Sequence, residues 1–86
     1  MTTSEYTQHL ATLDQKYRSK VRKAEDEYRR ALRRARRHPD RDYREVLAQN
    51  IYVLAVHTAT VEYEQNAKLL LTLLLRSTLN PEVGKN

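Results

Sequence analysis

The chain has no cysteine, which rules out disulfides and thiolate metal sites and fits a reducing compartment. Glycine occurs once, at Gly84, so no glycine-rich phosphate loop can be built. Proline occurs twice, at Pro39 and Pro81, leaving two long stretches with nothing to interrupt a helix. Long apolar runs are missing too. Leu69–Leu71 and Leu73–Leu75 are bracketed by Lys68 and Arg76, whereas a membrane span needs about 20 apolar residues in succession. No membrane association is expected. Met1 to Gln15 lack the basic-then-apolar order of a secretory leader, so cytoplasmic residence is expected.

Charge and periodicity are what the sequence does supply. Of 86 residues, 31% are charged and 40% hydrophobic, too periodic for a disordered chain and too short for more than one small domain. The net charge of +5 is unevenly placed. Residues 1–42 carry twelve Lys or Arg against seven Asp or Glu, while residues 43–86 carry four of each.

His38-Pro39-Asp40 divides the chain, because a proline inside a helix loses a hydrogen bond and clashes with the preceding turn. The expected domain is a single helical hairpin over residues 1–80, with a first helix over about 4–37 and a second over about 40–79. Thr2-x-x-Glu5 matches a capping box for the first helix, and Asp40 or Asp42 can cap the second. Asn80-Pro81 closes the second helix, and residues 81–86 are expected to be a flexible polar tail.

An eleven-residue repeat runs through both helices. Tyr6, Tyr17 and Tyr28 are spaced by eleven, as are Tyr52 and Tyr63, and each opens the pattern Tyr-x3-apolar-x2-apolar. Leu10/Leu13, Val21/Ala24, Leu32/Ala35, Val56/Ala59 and Ala67/Leu70 complete the five copies. Eleven residues in three turns is about 3.67 per turn, which keeps the stripe on one side of a nearly straight helix. The fold class is therefore all-α, two straight helices side by side in an antiparallel hairpin, with coiled-coil-like packing.

The second helix is apolar on two faces. Tyr52, Val56, Ala59, Tyr63, Leu70 and Leu74 share one side, and Leu47, Ile51, Leu54, Thr58, Val61 and Leu69 lie roughly opposite. One face meets the first helix; the other has no cover in a single copy. Leaving Leu47, Ile51, Leu54, Val61 and Leu69 wet forgoes ~1.5–3 kcal/mol each, and a two-fold contact buries the set twice. Association costs on the order of 4–15 kcal/mol, so a homo-oligomer is expected, with a dimer forming a four-helix bundle as the simplest closed arrangement.

Two surfaces are candidate sites. The first is a run of arginines without a lysine: Arg29, Arg30, Arg33, Arg34, Arg36, Arg37, Arg41 and Arg44. Arginine grips phosphate through parallel hydrogen bonds that lysine cannot make, so an acidic partner, nucleic acid foremost, is implied. The plainer alternative is a solvated face tempered by Glu25, Asp26 and Glu27, with Asp26 set to pair with Arg30. No tyrosine falls within Arg29–Arg41, which disfavours single-strand recognition by base stacking. In a dimer the clusters form two basic poles if the hairpins pack antiparallel, or one patch if parallel. The second surface is the leucine-rich end of the second helix, Leu69 to Leu75, where Leu71 and Leu75 add to the outward set. It fits a protein-interaction module such as an adaptor, inhibitor or assembly subunit.

Catalysis is not expected. Ser4, Ser19 and Ser77 lie on helix ends or a basic face with no base and acid gathered around them, and a two-helix rod offers no enclosed pocket. Metal is not expected either, since Glu62 and Glu45 lack a histidine three residues on, and Glu5 with His9 gives only two ligands. No cofactor is implied. Asn50, His57, Thr60, Glu64 and Lys68 form a polar edge between the two apolar faces of the second helix, either a register-fixing network or a wet seam.

Overall fold

The computed structural model describes residues 1–79, and within them the chain forms two packed helices, α1 (Thr3–Ala35) and α2 (Arg41–Leu79). Asn80-Pro81 and the tail proposed for residues 81–86 lie outside the described residues. Thr2 starts α1 much as its sequence implies: its hydroxyl accepts the Glu5 amide at 3.1 Å and donates to the Glu5 carboxylate at 3.2 Å. The backbone of α1 is thus capped at one of its orphan amides.

The first helix ends at Ala35, two residues short of the expected boundary. The amides of Arg37 and His38 bond back to Arg34 and Ala35, three residues earlier instead of four, which tightens the last turn and spends the carbonyls that would carry the helix on. Arg36 and Arg37 therefore sit in the connection, not on α1. No described residue takes a positive φ, so the reversal is made with right-handed and extended backbone alone. His38 Nδ1 accepts the Asp40 amide at 3.0 Å, and the Asp40 carbonyl accepts the Arg44 amide at 3.0 Å, starting α2. Asp42, the other candidate cap, lies inside the first turn, where its charge suits the helix dipole.

The seam between the helices follows the eleven-residue repeat. Tyr17 packs on Tyr63 and Tyr28 on Tyr52, two pairs equidistant from Asp40 along the chain, so the repeats of the two helices are in phase. The four buried residues obey the same spacing, Ala24 with Ala35 and Ala48 with Ala59. Small side chains at these points let the backbones approach, while tyrosines, leucines and valines of the stripe close over them half-buried. Among the described residues no large side chain is fully buried. The result is a rod of 67 × 16 × 14 Å without a core of its own. Its accessible surface of 7146 Å² exceeds the ~5300 Å² expected of a globular monomer of this mass.

Candidate nucleic-acid and partner interfaces

The hairpin turn gathers all eight arginines at one end of the rod. Arg29, Arg30, Arg33 and Arg34 occupy the last turns of α1, Arg36 and Arg37 the connection, and Arg41 and Arg44 the first turn of α2; all are exposed. Two have partners. Arg29 meets Asp26 at 3.5 Å and Arg41 Nε meets Glu45 at 3.1 Å. Asp26 thus pairs three residues ahead and not with Arg30 as its spacing first implied; both separations face one another on a helix, and the shorter reach wins here. Among the described residues Arg30, Arg33, Arg34, Arg36, Arg37 and Arg44 have no carboxylate partner.

Helix electrostatics account for only some of these charges. Arg33 and Arg34 in the last turn of α1 favour the negative end of its dipole. Arg41 and Arg44 stand at the positive end of α2, where a cation costs stability. Between the helices at this tip lies a shallow groove of about 320 Å³, floored by Ala31, Ala35 and Ala48 and flanked by Arg34, Arg44 and His38. The acceptor role of His38 Nδ1 leaves the proton of a neutral ring on Nε2. The arrangement can hold anions by charge and by forked hydrogen bonds. Tyr43, 68% exposed, lies between Arg41 and Arg44. It stands two residues beyond the Arg29–Arg41 stretch, so the tip does carry one aromatic ring.

The second surface runs along α2. Leu47, Ile51, Leu54 and Leu69 are exposed, Ile51 by 57% and Leu54 by 64%, and so are Leu71, Leu73, Leu75 and Leu79 toward the open end. Val61 differs from expectation and is half-buried. Three adjoining grooves follow the α1/α2 seam on this side, and Ile51 borders each of them. Their floor is small: Ala24, Ala31, Ala48, Ala55 and Ala59.

The polar edge of α2 divides. Thr60 shares a hydrogen bond with the Tyr17 hydroxyl at 3.2 Å across the hairpin, while Asn50, His57, Glu64 and Lys68 face solvent. The strongest cross-helix polar link was not among the sequence candidates. Glu62 receives Lys20 and, at 3.7 Å, Lys16. The Lys20 hydrogen bond and charge hold the Glu62 carboxyl below its ordinary range, with Lys16 adding to the effect. At the open end the Met1 amine donates to Ser77 Oγ at 2.8 Å. Placing residues symmetrically about Asp40 sets Glu62 opposite Arg18, between Lys16 and Lys20, which is the signal that could have found this link.

No helix among the described residues is long and apolar enough to cross a membrane. Comparison of the chain with protein-family models, with curated proteins and with solved structures finds no match. The functional reading therefore rests on the two surfaces themselves.

Proposed function

We propose that this chain is a non-enzymatic, homo-oligomeric helical hairpin that binds nucleic acid through its arginine tip. The observation that carries the reading is six exposed guanidiniums without carboxylate partners at one end of a rod. One of them, Arg44, stands where the α2 dipole opposes it. Charge placed against the stability of its own helix has a use outside the fold. A duplex or a folded RNA, bound by backbone charge and shape, suits a cluster with many guanidiniums and one ring.

Oligomerisation is supported by the missing core. Among the described residues only alanines are buried and eleven large apolar side chains are exposed, Ile51, Leu54 and Leu69 by more than half. A dimer closing into a four-helix bundle meets that need with one contact.

Binding of a short duplex DNA at low salt is the direct test. Arg33, Arg34, Arg36 and Arg37 changed together to Gln should abolish it while circular dichroism stays helical; binding that persists unchanged discards the tip as the site. A second reading, a protein-interaction module working through the open end, is favoured by Leu69, Leu71, Leu73 and Leu75 being exposed together on α2. Leu71→Glu or Leu75→Glu would then abolish partner capture and leave duplex binding intact.

A further inference from the structure

We infer that two copies join antiparallel through the Leu47–Ile51–Leu54 side of α2, so that the arginine tips point in opposite directions and one dimer bridges two nucleic-acid segments. This rests on the reading of the tip as a nucleic-acid site and on the second copy as occupant of α2. The face has the form of a helix receptor: a continuous groove with an alanine floor, which admits a close backbone, beside a row of aliphatic knobs bordered by Ile51. Because one copy carries both knobs and groove, the patch complements itself under a two-fold axis, as an isologous contact requires.

Charge selects the direction. In a parallel pair the two tips would adjoin, bringing twelve guanidiniums that lack carboxylate partners into one patch, within reach of a screening length of about 8 Å at physiological salt. Antiparallel packing about Ile51 sets the two starts of α2 about 30 Å apart at ~1.5 Å of rise per residue, several screening lengths. It also sets the two α2 dipoles in opposition, the favourable sense for neighbouring helices.

Absence of cysteine makes the test clean. Ser4→Cys places a single label on an exposed position near the open end, remote from the arginine tip and from the Leu47–Ile51–Leu54 contact. Spin labels there should lie beyond about 40 Å in an antiparallel dimer and within about 30 Å in a parallel one, given ~1.5 Å of rise per residue and helices 8–10 Å apart. A short distance, or a monomeric mass by light scattering at high concentration, overturns the arrangement; the latter result gives the α2 face to a different protein. Bridging is read separately, by capture of a fluorescent duplex on beads carrying an unlabelled duplex. Capture should peak at intermediate protein and fall when protein exceeds duplex. A long label distance with duplex binding but no capture overturns bivalency alone, whereas a long distance with no duplex binding overturns the nucleic-acid reading beneath it.

Discussion

Tyr28 stacks on Tyr52 with ring centroids 5.1 Å apart and planes inclined by 26°, and one repeat farther from the turn Tyr17 meets Tyr63 at 5.7 Å and 54°. These rings span a seam in which no large side chain among the described residues is fully buried, so they hold much of what the hairpin has in place of a core. A double-mutant cycle on Tyr28→Leu and Tyr52→Leu should return a coupling of about 0.5–1.5 kcal/mol. Urea midpoints of the four proteins measure it. Additive effects would mean that the stacked geometry contributes nothing beyond area.

The buried alanines set how closely the backbones approach. Ala59→Leu, at a position only 5% exposed, should cost about 1–3 kcal/mol by forcing the helices apart. Ala11→Leu, at an exposed position of α1, should leave the urea midpoint unchanged, since Ala and Leu have similar helix propensity. Equal effects at both sites would show that the seam yields freely.

Glu62 gives the hairpin an acid-side dependence whose sign is fixed. Its carboxyl is held below the ordinary value of 4.5, chiefly by Lys20. The unfolded state therefore binds the proton first, and the pair contributes stability that is present above pH 4.5 and lost as pH falls through the lower folded value. The contribution is small and shrinks with added salt because the pair is exposed. Glu62→Gln should flatten the thermal midpoint between pH 5 and pH 3 relative to the parent chain. Parallel profiles would remove Glu62 from the account.

Duplex binding through the six guanidiniums without carboxylate partners should follow counterion release. A slope of about −5 in log K against log salt corresponds to six phosphate contacts on duplex DNA. Arg44→Gln should reduce that slope by about one. Tyr43→Ala separates the modes of contact. If backbone charge dominates, duplex affinity changes less than about twofold, whereas stacking would weaken single-strand binding by the equivalent of ~1–3 kcal/mol. Fluorescence anisotropy across a salt series reads all three.

Much of the hairpin was legible because one residue type marked the period. Tyr6, Tyr17, Tyr28, Tyr52 and Tyr63 declare the repeat openly, and Pro39 declares the break. The end of α1 was not legible, since Arg36 and Arg37 are good helix formers and only the shortened bonds to Arg34 and Ala35 decide the matter. The Glu62 link needed the register, which no local pattern on α2 contains. Tyr43 escaped notice because it stands outside the repeat. All eight arginines were found by composition alone, but which of them lack partners depends on side-chain reach, which spacing leaves open between Arg29 and Arg30.

A seam that repeats every eleven residues cannot by itself choose among staggered alignments. Sliding α2 by one repeat would set Tyr28 against Tyr63 and match stripe to stripe again. What forbids the slide is the short connection from Arg36 to Asp40, pinned at His38 and Asp40. Cut there, the two halves lose their tether, and as separate peptides they should anneal in more than one offset, giving ragged complexes where the intact chain gives a single species.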